Sequence, residues 1–246
     1  MRIKLIVLVT LAIAATAIGV IHTASTIQKK SVPQKDRLQW YAKEAKAERR
    51  DKVRVPAPLI EYLGGAGTIT ADEAFASSTV VVAHLVSKES FVVDDEITTW
   101  NKFGIDEVLS EAKELPCPAC VPPQPPASQL PLKSGEFLIP KSGGTVNIEG
   151  VDVEQLNEEF PEYEFHQQYL LLLNLYPAGT ARTVGGPVGV FRVLPNNKIV
   201  PVHESEHRIP KDLKERFGNS LDQIPIKQSL PFRVLLKHSQ EGRGGW

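Results

Sequence analysis

Cysteine and net charge are both scarce in this chain, and each scarcity closes off a class of function. Of 246 residues, two are cysteine and one is methionine. No network of disulfides staples such a chain, and a four-thiolate zinc site cannot be assembled from one pair. Lys and Arg (28) balance Asp and Glu (29) to leave a net charge of −1, and a body without basic excess is not built to grip nucleic acid. There is no G-x-S-x-G and no glycine loop followed by a phosphate-binding lysine, so the common signatures of hydrolase and nucleotide chemistry are missing. Gly64 to Gly67 lacks the strand and helix that would make it a dinucleotide loop and reads as a flexible joint. No cofactor is expected.

Long apolar runs are missing too, except at the amino terminus. Leu5 to Ile21 is almost wholly apolar, is introduced by Arg2 and Lys4, and is followed by the small Ala24. Residues 1–25 therefore read as an export signal or as a membrane anchor, since the run just reaches the minimum of about 17 residues for a spanning helix. Lys29, Lys30, Lys35 and Arg37 beyond the run outweigh Arg2 and Lys4, and that bias alone would keep the body inside. The expectation is an exported protein, periplasmic, cell-surface or secreted, with the anchored form left open.

Residues 26–70 read as a basic helical spacer and linker. Leu38, Tyr41, Ala42 and Ala45 recur at helical spacing, and ten basic residues face four acidic ones between Gln28 and Arg54. Membrane contact through residues 1–54 follows from attraction to anionic headgroups; the competing reading is a solvated spacer. Val55-Pro56-Ala57-Pro58 is expected to end the helix, and the globular body to begin near Ala71.

The 19 prolines and 17 glycines favour short strands joined by turns. Thr79 to Val86 is β-branched and apolar, the pattern of a buried strand. Ile97 to Ile105 alternates as a second strand that Val108 and Leu109 extend. Pro116 to Pro131 carries seven prolines, too many for a regular element. Within that loop lie Cys117 and Cys120, for which an oxidising compartment implies a local disulfide. A thiol redox site is the alternative, but prolines on both sides deny Cys117 the helix start that would activate it. Glu136 to Pro140 and Gly143 to Val151 read as a hairpin turning at Lys141 to Gly144. Tyr169 to Leu175 is the most apolar stretch of the body and reads as a central strand, and Val188 to Leu194 with Lys198 to Val202 reads as a closing hairpin. Pro210 to Phe217 reads as a short helix stopped by Gly218, and Gly242 to Trp246 as a tail.

Ser78-Thr79-Val80-Val81-Val82-Ala83, Gly143-Gly144, Tyr169-Leu170-Leu171-Leu172-Leu173 and Val184-Gly185-Gly186-Pro187-Val188-Gly189-Val190-Phe191-Arg192-Val193 together resemble a family of exported small β-barrel domains, related in shape to the OB fold and mostly without assigned function. The resemblance spans residues 74–202 and rests on structural motifs that carry no catalytic residue. It implies a mainly β, OB-like barrel over 71–202, with the Pro-rich loop 116–131 departing from the pattern and a helix and tail over 203–246.

One segment names a reaction. His203-Glu204-Ser205-Glu206-His207 matches H-E-x-x-H, in which one helix face presents two imidazoles to zinc and the glutamate activates its water. Pro201 and Pro210 crowd both ends of such a helix, the segment has no apolar back, and no third ligand stands in a recognisable context. A charged linker is the expected reading, with a zinc metallopeptidase using His203, His207 and Glu204 as the alternative. Asp94-Asp95-Glu96 lacks the alternating acidic loop of a calcium site and reads as a solvated hairpin tip. Trp100, Tyr163, Tyr169 and Phe191 read as barrel filling, or else as a binding face. The function expected is non-catalytic binding of an unidentified ligand or envelope protein.

Overall fold

A computed structural model of the chain describes residues 36–56, 69–112, 130–157, 160, 162–176, 178–203 and 208–224. Met1–Gln34 separates as a unit of its own, and every described element belongs to the second unit, Lys35–Trp246. The signal or anchor at 1–25 and the cysteine pair lie outside the described residues. No helix among the described residues is long and apolar enough to cross a membrane.

The centre of the fold is the apolar run that the sequence makes conspicuous. Strand β7 (Gln168–Leu175) lies between β2 (Thr79–Val93) on one edge and β9 (Val190–Val193) on the other, and five consecutive residues, Tyr169 to Leu173, are each 0% exposed. A strand is apolar on both sides only when both faces of its sheet are covered. On one face Val80, Val82, Leu170, Leu172, Phe191 and Ile199 pack against helices α2 (Ala71–Ser77) and α3 (Arg208–Phe217). On the other, Val81, Ala83, Leu171 and Leu173 surround an aromatic cluster of Phe103, Phe137, Tyr163 and Tyr169. Adjacent rings in that cluster lie 4.9–6.1 Å apart, mostly edge to face.

Strand β2 turns at Asp94 and Asp95, whose φ values of 50° and 61° give the twist that a two-residue hairpin needs, and returns as β3 (Glu96–Ser110). Three register shifts between Val80 and Ser87 bend this long hairpin. With β4 (Glu136–Ser142), β8 (Ala181–Thr183) and β10 (Ile199–Pro201) the large sheet runs β10-β9-β7-β2-β3-β4, with β8 attached to β7. A second sheet of β1 (Lys52–Pro56), β6 (Val151–Leu156) and β5 (Gly144–Ile148) is ordered β1-β6-β5, with β1 parallel to β6. Helix α1 (Arg37–Ala47) buries Leu38, Ala42 and Ala45 with Val53, Val55, Val151, Val153 and Ile97.

The mainly β class stands, but three expectations are corrected. There is no closed barrel among the described residues. The outer edge of β4 meets the turn before β8 only at the Leu138–Thr180 bridge, where the Leu138 amide donates to the Gly179 carbonyl at 2.9 Å. Second, β4 and β5 are not a hairpin. At Gly143 and Gly144, with φ of 92° and 138°, the chain turns a corner from the large sheet to the small one. A Cβ at Gly144 would strike the hydroxyls of Thr99 and Ser90, so the corner needs glycine. The hairpin in this region is β5 with β6, turning at Glu149 and Gly150. Third, the segment read as a solvated spacer is folded in part: α1 ends at Ala47 and β1 follows it, both with apolar sides buried. The remaining hairpin, β9 with β10, turns near Asn197 with φ 58°, and α3 stops at Gly218 with φ 55°, both as the sequence predicts.

Candidate functional site

The helices cover only part of the large sheet. Past their reach, on the same face, His84 of β2 pairs with Gly104 of β3 and with Gln168 of β7, so three adjacent strands present one row. His84 Nδ1 lies 2.7 Å from Asp106 Oδ1, and the Gln168 amide donates to Asp106 Oδ2 at 3.0 Å. An ionised carboxylate only accepts, so the His84 ring donates from Nδ1 and, when neutral, keeps Nε2 as an acceptor. Gln168 spends its NH2 on Asp106 and keeps its carbonyl oxygen. Gly104 makes room for the ring: a Cβ there would sit about 3.2 Å from Nε2 and 3.3 Å from Val86 Cγ2. Val86 beside it is 40% exposed. The row thus offers two acceptors next to an apolar side chain, held in place by a carboxylate between them. Asp106 thus fixes the orientation of the His84 imidazole.

An irregular strap, residues 162–167, borders this row. Glu162 bonds Lys141 at 2.6 Å and Lys88 at 3.3 Å. Glu164 bonds Arg192 at 2.6 Å, and its amide donates to the Tyr169 hydroxyl at 2.7 Å. Tyr163 seats its ring in the aromatic cluster, and Phe165, bridged to Leu85, is 48% exposed. Burial pushes the Glu162 carboxyl up, but the ammoniums of Lys141 and Lys88 outweigh it and hold the group below the ordinary range. Burial pushes the Tyr169 phenol up.

The residues that the sequence singles out fall elsewhere. His203 is half-buried just after β10 and is not on α3, which starts at Arg208; Glu204 and His207 lie outside the described residues, as do Cys117 and Cys120. No group of three or more His, Cys, Asp and Glu among the described residues is placed to hold a metal. Trp100, Tyr163, Tyr169 and Phe191 are at most 1% exposed, so they fill the core and line no open face. Asp95, read as a solvated tip, instead accepts from the start of α1: the amides of Arg37 and Leu38 donate to its carboxylate at 2.7 and 3.2 Å. The His84 row was missed, although a histidine inside the run Val80 to Val86 is a polar break in an apolar strand. Its partner is 22 positions away, a distance that only the hairpin register closes.

The chain matches no family model, and neither the curated proteins nor the solved structures contain a significant match to it.

Proposed function

We propose that this is an exported cell-envelope protein that acts as a non-catalytic binding or interaction domain through the open sheet face around His84. The apolar run Leu5 to Ile21 behind Arg2 and Lys4 supports export. The observation that carries the binding reading is the row itself: Asp106 fixes His84 and Gln168 across neighbouring strands, leaving acceptors aimed outward beside the exposed Val86. Groups ordered before contact spare the entropy of ordering them on binding. Acceptors next to an apolar side chain suit a ligand or envelope protein with hydroxyl or N–H donors along an apolar edge. The fold that goes with this reading is an OB-like barrel opened at one seam. The aromatic cluster and the Leu138–Thr180 bridge support that seam as the place where β4 and β8 would close, and OB-like folds commonly bind ligands on a sheet face.

Two measurements on the full chain in cells test this. A reporter enzyme fused after Trp246 that folds only outside the cytoplasm is expected to be active. A photo-crosslinking residue at Val86 is expected to give a discrete adduct that one at the exposed Arg182 of β8 does not, and that His84→Ala weakens. A reporter active only inside the cell overturns export, and no adduct above the Arg182 control overturns the binding face.

A further inference from the structure

The folding of α1 into the body changes what its basic residues are for. A solvated spacer presents every side, whereas α1 has committed Leu38, Ala42 and Ala45 to the core shared with β1 and β6. At 100° per residue the side opposite that stripe carries Trp40 with Lys43 and the acid Glu44 on either side of it, while Lys46 lies between that side and the stripe and Arg49 and Arg50 stand in the turn that follows. Trp40 is only half-buried and joins none of the apolar clusters among the described residues; its ring contact is the edge of Tyr41 at 5.0 Å. Lys43, Lys46, Arg49 and Arg50 are all exposed. Lys43 and Arg49 have no ion-pair partner among the described residues. Arg50 pairs with the exposed Glu48, Lys46 reaches the Glu149 carbonyl, and Lys52 and Arg54 share Glu154. From Asp36 to Arg54 the chain carries seven basic and four acidic residues, and Lys29, Lys30 and Lys35 just before it add charge of the same sign with no acid between them.

We propose that the outward side of α1 and its following turn rests on an anionic lipid surface, with Trp40 at headgroup depth and Lys43, Lys46, Arg49 and Arg50 over the charge. A tryptophan on an exposed helix side, with basic residues beside it and in the turn that follows, is the pattern of an interfacial element. The sixteen steps from Ile21 to Arg37 span at most roughly 58 Å, so an amino terminus held at a membrane keeps α1 within reach of it. The apolar stripe of α1 is already used, so the side left to meet lipid is this one. The proposal rests on the envelope reading and names the partner of a different surface from the His84 row.

The test uses the purified full chain with vesicles of phosphatidylcholine alone or mixed with phosphatidylglycerol, each also made with brominated chains that quench nearby tryptophan. Trp100 is fully buried, and Trp246 is silenced as Trp246→Phe in every protein compared. Quenching is expected in the anionic vesicles, weaker in neutral ones, absent in Trp40→Phe and relieved by high salt. Each cation removed is expected to weaken surface attachment about fivefold, so Lys43→Gln with Lys46→Gln and Arg49→Gln costs about a hundredfold in lipid concentration at half quenching. Trp40→Phe leaves the charges in place and guards against misfolding of the triple variant. Equal quenching in both vesicle types, or quenching that survives Trp40→Phe, overturns the proposal, even where the apolar run alone carries the chain into both. Neither outcome touches the reporter or the Val86 adduct, so the two readings fail separately.

Discussion

Leu171 and Leu172 show how little a single residue's surroundings can be guessed from its type. Both are leucines of one apolar run, and neighbouring residues on a strand point to opposite faces, so sequence alone predicts that alanine at one costs clearly more than at the other. The structure places Leu171 beside the aromatic cluster and Leu172 under α2 and α3, each 0% exposed. Leu171→Ala and Leu172→Ala are therefore each expected to cost about 2–5 kcal/mol, read from urea unfolding. A loss below about 0.5 kcal/mol at either position would mean that its face of the sheet is not packed as described. His84 teaches the complementary lesson. Its type suggested nothing in particular, and only its Asp106 partner, brought across the hairpin, gives it a fixed orientation.

Among the elements, legibility followed how local the determinant is. Strand β7 was visible because an unbroken apolar run needs no partner to identify it, and the β9–β10 turn and the stop of α3 were visible because asparagine and glycine, at Asn197 and Gly218, are the residue types that tolerate positive φ. The far half of the β2–β3 hairpin was not, since Ser87-Lys88-Glu89-Ser90 is polar and is a strand only because β3 pairs with it. The corner at Gly143 was read as a hairpin turn because glycine pairs serve both, and what distinguishes them is the small sheet that β5 joins. Strand β1 hid inside a basic stretch, although Val53 and Val55 alternate with charged residues and both turn inward. Helix α1 depends on distant support as well. It has 11 residues and no side-chain cap of its own, too few to be stable in isolation, and it borrows Asp95 from the hairpin tip. Asp95→Gly keeps the positive φ that the turn needs while removing the carboxylate. It is expected to destabilise by about 1 kcal/mol through loss of the helix-start acceptor, with Asp95→Asn in between because it retains a neutral oxygen. A glycine variant as stable as the wild type in urea would show that the tip does not cap α1.

At the scale of the whole molecule, the strap over residues 162–167 joins strands that are remote in sequence. Through Glu162 it holds Lys88 of β2 and Lys141 of β4, and through Glu164 it holds Arg192 of β9, with Tyr163 seated between. Lys141 is the demanding partner: its side chain is 5% exposed, and a buried ammonium is costly unless a carboxylate faces it. Glu162→Gln leaves that charge with a neutral oxygen, and a hydrogen bond between charged groups is worth roughly 1.5–3 kcal/mol. At pH 7 the variant is expected to lose the lower part of that range, because the Glu162 carboxylate is itself largely exposed and screened. The pH dependence has a definite sign. Lys141 and Lys88 hold the Glu162 carboxyl below its ordinary range in the folded chain, so its stabilisation is fully present above about pH 4.3, the value of a free glutamate, and fades as pH falls through the lower folded value. Wild type and Glu162→Gln should therefore differ in urea midpoint at pH 7 and converge in strong acid, where the wild-type carboxyl is protonated too. A gap that persists unchanged in acid would mean that the glutamine harms packing, and that the charge pair does not fasten the strap.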